Sequence, residues 1–175
     1  MAGSLHNAKK AKNDEFYTRY KDIAEEVGHY REHFRDKVIY CNCDDPTQSN
    51  FWRYFHNNFA SLGIKKLIAT HFQEDSEPSY ALIYEGGDDF NMEAGNIETI
   101  YGDDEYTAGD FRSEDSINYL KEADIVVTNP PFSLFREYIS QLMEHQKKFI
   151  VIGNKNSVTY KEIFPLIQNN QIWIG

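Results

Sequence analysis

Cysteine is scarce: Cys41 and Cys43 are the only two in the sequence. They stand two positions apart in a run of strand character, so their side chains are expected to share one face. That placement is poor for a mutual disulfide and leaves reduced thiols serving as small core residues. Long apolar runs are missing too. No stretch approaches the ~18 consecutive apolar residues of a membrane span, and the N-terminus is polar rather than the apolar core of a signal peptide. A soluble, cytoplasmic protein without a membrane partner is expected. Positive charge is in deficit: Lys and Arg number 18 against 28 Asp and Glu, a net charge of -10. Binding to phosphates draws on Lys and Arg, so the chain is no stand-alone grip for nucleic acid. Such contact needs a local basic patch, of which Lys9-Lys10-Ala11-Lys12 is the best, or another domain.

What is present suits one globular unit. Apolar residues make up 41% and aromatic residues 15% of 175 positions, enough for a proper core. The expected division is a flexible basic arm over 1–12 and a single domain over 13–175. From Asp14 to about Arg35, Phe16, Tyr17, Tyr20, Ile23, Ala24, Val27, Tyr30 and Phe34 recur at helical spacing, with a break expected near Gly28. His29 and His33 lie four apart on that helix, read here as two surface histidines with no third metal ligand nearby. Val38 to Cys43 reads as the first strand, Ser49 as the cap of a helix closed by Gly63, and Lys66 to Thr70 as a second, parallel strand. Between Pro78 and Gly102 the pattern alternates, which predicts a hairpin of Tyr80–Tyr84 and Ile97–Tyr101. A helix over Ser113–Lys121, a strand over Asp124–Thr128, a helix over Ser133–His145 and a strand over Phe149–Gly153 follow. Tyr160–Asn169 reads as helix, and Ile172-Trp173-Ile174-Gly175 as the start of another strand.

Only five prolines occur, and two of them are adjacent, in Asn129-Pro130-Pro131-Phe132. They sit directly behind the β-branched run Ile125-Val126-Val127-Thr128. Proline donates no ladder hydrogen bond and holds the residue before it extended, so the pair ends the strand in a rigid corner. In open α/β sheets the carboxyl ends of the strands are where ligands bind. An amide followed by an aromatic ring there suits a planar, hydrogen-bonding substrate such as a flipped nucleobase. The exocyclic amine of adenine is a poor nucleophile because its lone pair is delocalised into the ring. The Asn129 side-chain oxygen and the Pro130 carbonyl can accept both amine hydrogens and turn that lone pair toward a methyl donor. Phe132 can stack on the base, a contact worth about 1–3 kcal/mol. Read as structure alone, the same residues end a strand and fill a turn.

Several motifs in order extend beyond this corner. They are Asn13-Asp14-Glu15-Phe16-Tyr17-Thr18, Tyr40-Cys41-Asn42-Cys43-Asp44-Asp45-Pro46, Gly109-Asp110-Phe111-Arg112 and Thr128-Asn129-Pro130-Pro131-Phe132-Ser133. From about Lys9 to Gly175 the chain resembles the EcoRI-type adenine-specific DNA methyltransferases. The resemblance implies a Rossmann-like class I S-adenosylmethionine-dependent α/β fold, mostly parallel; the alternating segment gives it an inserted hairpin, and the apolar Ile172-Trp173-Ile174 run, a strand in want of neighbours, leaves the expected sheet incomplete at the C-terminus. It implies S-adenosylmethionine as cofactor, no metal, and double-stranded DNA with a flipped adenine as partner. A target-recognition region would follow later in the chain than these residues reach. Self-association or a partner completing the sheet edge is the corresponding expectation.

By resemblance Phe16, Tyr17 and Thr18 lie against the methionine end of the cofactor, and Asp44, Asp45 and Pro46 form the turn whose acid meets its amino group. Asp110 and Phe111 border its adenine, and Asn129, Pro130, Pro131 and Phe132 act on the target base. Glu74 and Asp75 both remain candidates for the ribose. On residues alone, Asp14 serves equally as a helix cap, and Asp110 with Phe111 as a cap and a core ring. The turn after the first strand departs from the usual pattern, because Thr47-Gln48-Ser49-Asn50 contains no glycine. An Asn-Pro-Pro-aromatic corner also serves methyltransferases acting on ribosomal RNA or protein glutamine, and a cofactor- or partner-binding fragment without activity is a further alternative.

Overall fold

A computed structural model of the protein describes residues 18–43, 45–75, 77–87 and 97–175. The expected arm over 1–12 lies outside them, as do Phe16, Tyr17 and Asp44. Helix α1 (Tyr20–Gly28) and a 3-10 turn (Arg31–Phe34) precede strand β1 (Val38–Cys41). Helices α2 (Asn50–Asn57) and α3 (Phe59–Leu62) then lead to β2 (Lys66–Thr70). Ser49 caps α2 by accepting from the Trp52 amide, and Gly63 ends α3 in the left-handed region at φ 66°. The hairpin is β3 (Ser79–Tyr84) and β4 (Ile97–Ile100), followed by α4 (Glu114–Glu122) and β5 (Ile125–Thr128). A 3-10 turn (Phe132–Leu134), α5 (Phe135–Glu144), β6 (Lys148–Val151), a 3-10 turn (Lys155–Thr159) and α6 (Phe164–Gln168) complete the order.

Among the described residues six strands form one open sheet in the order β4-β3-β2-β1-β5-β6. β1 runs parallel to β2 and to β5, and β5 parallel to β6, while the hairpin adds antiparallel to β2. Alternation along the central strands explains why both faces are covered. Ile39, Cys41, Leu67, Ala69, Ile125 and Val127 face one core, which α1, α2 and α3 close with Ile23, Val27, Phe51, Phe55 and Leu62. Val38, Tyr40, Ile68 and Val126 face the other, closed by Leu120 of α4 and Phe135, Tyr138, Ile139 and Leu142 of α5.

Of the helix expected from Asp14 to Arg35, residues 14–17 lie outside the described residues, and the rest contains α1 and a separate 3-10 turn, parted beside Gly28 as its sequence suggested. The first strand stops at Cys41, two residues early, because Cys43 takes a left-handed φ of 69° that no ladder can continue. This break separates the two cysteines. Cys41 belongs to the first core and Cys43 packs against the second, so they do not share a face, and no disulfide joins them. A further correction concerns Ile172–Gly175, which forms no strand. A strand exists by virtue of a ladder partner, and none of the described strands pairs with it. Ile172 packs against the second core instead, leaving Trp173 and Ile174 exposed. No helix among the described residues is long and apolar enough to cross a membrane.

Candidate active site

Because β1, β2, β5 and β6 are parallel, their carboxyl ends meet one edge of the sheet. The chain leaves β1 for β2 on one side and returns to β5 on the other, so the strand order reverses between β1 and β5. Such a reversal opens a crevice at the strand ends. The turn carrying Asp45 and Pro46 borders it from β1, and the Asn129–Phe132 corner from β5.

The corner is firmly seated. Asn129 is 6% exposed, Pro130 is buried, and Pro131 and Phe132 are half-buried. Pro131 holds φ -61° and ψ 124° and starts the 3-10 turn, its carbonyl accepting from the Leu134 amide at 3.0 Å. The two prolines thus deliver Asn129 to the crevice and pass the chain into α5 without a flexible joint.

The glycine-free turn is built from side chains. Asp45 Oδ1 accepts from the Thr47 amide at 2.9 Å, the Thr47 hydroxyl at 2.7 Å and the Tyr80 hydroxyl at 3.3 Å. Its Oδ2 accepts from Gln48 Nε2 at 3.1 Å. The His71 ring stacks on Tyr80 with centroids 5.1 Å apart and places Nδ1 3.8 Å from the same carboxylate. Asn50 Nδ2 donates to the Thr18 carbonyl at 2.8 Å, which brings Thr18 beside this turn. Cys43 supplies the left-handed residue that glycine usually supplies.

Burial alone would raise the Asp45 carboxyl, but the Thr47 hydroxyl and amide, the His71 ring and the Tyr80 hydroxyl outweigh it and hold the group below its usual value. A carboxyl whose folded value is depressed contributes stability above its unfolded pKa, and that contribution is lost as pH falls through the folded value. The gap in thermal midpoint between the unaltered chain and Asp45→Asn is therefore expected to be constant from neutral pH down to about 5 and to narrow below about 4. Unfolding scans across that range check it, and a gap that persists unchanged in strong acid would refute it.

The loop between β4 and α4 completes the edge. Asp103 accepts from the Glu105, Tyr106 and Glu114 amides at 2.8–2.9 Å, and Asp115 from Tyr101 and Gly102. Gly109 lies against the turn after β2, where the Gln73 amide donates to the Ala108 carbonyl at 2.9 Å. Asp110 grips Arg112 in a fork, with Nε at 2.9 Å and Nη2 at 2.8 Å, and this pairing raises the guanidinium pKa. Arg112 in turn covers the Tyr106 ring at 4.4 Å and the Phe111 ring at 5.3 Å. Phe111 is 3% exposed and sits edge-on to Tyr138 at 5.0 Å. Its carbonyl accepts from Gln141 of α5, tying this loop to the helix behind the corner.

Of the residues singled out by sequence, Thr18, Asp45, Pro46, Asp110, Phe111 and Asn129–Phe132 are thus gathered at one edge. Glu74 and Asp75 are exposed in the loop after β2. Sequence reasoning missed Tyr80, His71 and Asn50, whose partners lie 26 or more positions away and leave no local signal. Among the described residues no group of three or more His, Cys, Asp or Glu is placed to hold a metal.

An open, mostly parallel α/β sheet with its crevice beside the first strand is the Rossmann-like methyltransferase class of fold. The chain matches, over residues 4–175, the family described as adenine-specific methyltransferase EcoRI, and it belongs to that family. It is 52% identical to the Type II methyltransferase M.EcoRI of Escherichia coli, the match covering 98% of this chain and 54% of that protein. It is 45% identical to the Type II methyltransferase M.MpnI of Mycoplasma pneumoniae, with 98% of this chain and 50% of that protein covered. A third relative, M.MgeORF184P of Mycoplasma genitalium, is 41% identical over the same shares. The chain spans about half the length of these curated relatives. No solved structure matches it.

Proposed function

We propose that this chain is the methyl-transferring unit of an adenine-specific DNA methyltransferase of a restriction-modification system, working in the cytoplasm. It would move a methyl group from S-adenosylmethionine to the exocyclic amine of a flipped adenine. The observation that carries the reading is the buried Asn129 amide, presented by the Pro-Pro corner at the crevice between β1 and β5. Asn129 Oδ1 and the Pro130 carbonyl accept the two amine hydrogens and draw the nitrogen toward tetrahedral geometry. Phe132, half-buried at the start of its 3-10 turn, stacks on the base and offsets part of the cost of unstacking it.

The donor set at the edge fits the cofactor. S-adenosylmethionine supplies an electrophilic methyl on a cationic sulfonium and carries an ammonium group, and the Asp45 carboxyl stays anionic at neutral pH. A carboxylate offers about four acceptor positions; Asp45 Oδ2 and Asp110 Oδ2 each accept one of the hydrogen bonds described above. Asp44, Asp45 and Pro46, with Phe16, Tyr17 and Thr18, would hold the methionine end. Asp110 would accept from the adenine amine. Phe111, with its ring against Arg112 and Tyr138, would fix the loop beneath that adenine.

Methyl-labelled cofactor offered with DNA, RNA and protein in parallel tests the substrate class. Label is expected on adenine in DNA, and label in RNA or on glutamine instead would overturn the reading. Asp110→Ala is expected to weaken cofactor affinity about tenfold, the effect of losing one charge-assisted hydrogen bond. Titration calorimetry reads it, and an unchanged dissociation constant would remove Asp110 from the site.

A further inference from the structure

The ladder between β1 and β5 is the shortest in the sheet. β1 pairs with β2, and β5 with β6, through four residues each, whereas β1 and β5 pair only at Ile39–Ile125 and Tyr40–Val126. The crevice begins where this ladder stops. Two residues further on, in the same register, Asn42 stands opposite Thr128, and side chains take over. Thr128 Oγ1 donates to the Asn42 carbonyl, and the Tyr138 hydroxyl from α5 donates to Asn42 Oδ1. Asn42 is 1% exposed and Thr128 and Tyr138 are 0% exposed. Water cannot replace these bonds, and each group is costly to leave without its partner. Burial also pushes the Tyr138 phenol well up, so it remains a donor at neutral pH.

The position of this bridge matters more than its strength. Thr128 is followed directly by Asn129, and Asn42 leads through Cys43 into the Asp45 turn. Strands that part at a crevice have no ladder to fix how far apart their ends stand. We propose that Thr128, Asn42 and Tyr138 form a positioning clamp that sets the separation between the cofactor turn and the Asn129 corner. The proposal rests on the methyl-transfer reading above. In-line transfer requires donor and acceptor at near-attack distance, and a misplacement of about 1 Å costs about 100-fold in rate.

The test compares this chain with Thr128→Val, which keeps the branched shape without the hydroxyl, and Thr128→Ser, which keeps the hydroxyl. Tyr138→Phe, which leaves the ring in the core, is the second site. Steady-state methyl transfer to DNA is measured beside cofactor affinity by calorimetry. Thr128→Val and Tyr138→Phe are expected to lower kcat about 10- to 100-fold while the cofactor dissociation constant stays within about twofold, and Thr128→Ser to recover kcat to within about threefold. Unchanged turnover in Thr128→Val, with the unaltered chain active, overturns the clamp and leaves the methyl-transfer reading intact. Equal losses of turnover and cofactor affinity, not rescued by serine, also overturn it, because a purely structural role gives that pattern. An unaltered chain that is folded but neither binds cofactor nor transfers a methyl group overturns the methyl-transfer reading and the clamp together.

Discussion

Asn129→Ala is expected to lower methyl transfer by about 10²–10³-fold, the scale on which loss of one preorganised hydrogen-bonding group at a reacting centre acts. Cofactor affinity should hardly change, because the cofactor is assigned to the turn after β1 and the loop before α4. Oδ1 of Asn129 accepts from an amine hydrogen more strongly as the nitrogen becomes tetrahedral and acquires positive charge, so its contribution grows between ground and transition state. Alanine leaves the backbone corner, which is set by Pro130 and Pro131, in place. Asn129→Asp is informative beside it, since it keeps an acceptor but adds charge in a buried position, 6% exposed. Turnover within about threefold of the unaltered chain for Asn129→Ala would remove Asn129 from the chemistry.

Gly109→Ala is expected to produce the largest loss of stability. Gly109 has φ +77°, and a Cβ there would stand 1.9 Å from the His71 carbonyl oxygen and 2.8 Å from Phe72 Cα. Both obstacles are backbone, so no side chain can swing aside. Left-handed strain and overpacking together amount to roughly 2–4 kcal/mol, or on the order of 10 °C in thermal midpoint for a domain of this size. The effect reaches the site as well, because the loop that docks through Gly109 carries Asp110 at its next position. Cofactor affinity should fall with stability. A midpoint within a degree or two of the unaltered chain would show that the loop does not dock on the turn after β2 as described.

Much of this architecture is legible in residue patterns, for identifiable reasons. Lys66–Thr70 is a short β-branched and apolar run between a closing Gly63 and polar residues, and it forms β2 at those bounds. Ser49 and Gly63 mark helix ends through local chemistry, a side-chain cap and a left-handed residue, which act within a few positions. The hairpin shows in alternation, and its antiparallel pairing follows. The failures are of the opposite kind. Cys43 in a left-handed conformation could not be read from an apolar run, because cysteine seldom takes that conformation and only the turn demands it. Ile172–Gly175 looks like a strand, yet strand character requires a partner, which composition does not reveal.

The candidate site divides in the same way. The Asn129-Pro130-Pro131-Phe132 corner carries its geometry in its own residues, since proline fixes the backbone and the preceding run fixes the strand. Asp45 was legible as an acid at a strand end. That Tyr80 donates to it across 35 positions was not. Arg112 is adjacent to Phe111 in the sequence, but its fork on Asp110 and its cover of the Tyr106 ring emerge only when the loop folds back on itself. Asn42, just past the end of β1, Thr128 of β5 and Tyr138 of α5 lie up to 96 positions apart and meet only because the sheet brings these segments to one crevice.

Calorimetric titration of the 175-residue chain with S-adenosylmethionine and S-adenosylhomocysteine asks whether the carboxyl edge of this sheet is a formed cofactor site, as proposed above. Saturable binding of one equivalent in the micromolar range, about -8 kcal/mol, is the expected result, with Asp110→Ala weakened and Asn129→Ala unchanged. A folded chain that binds neither compound would mean that this edge is not a cofactor site.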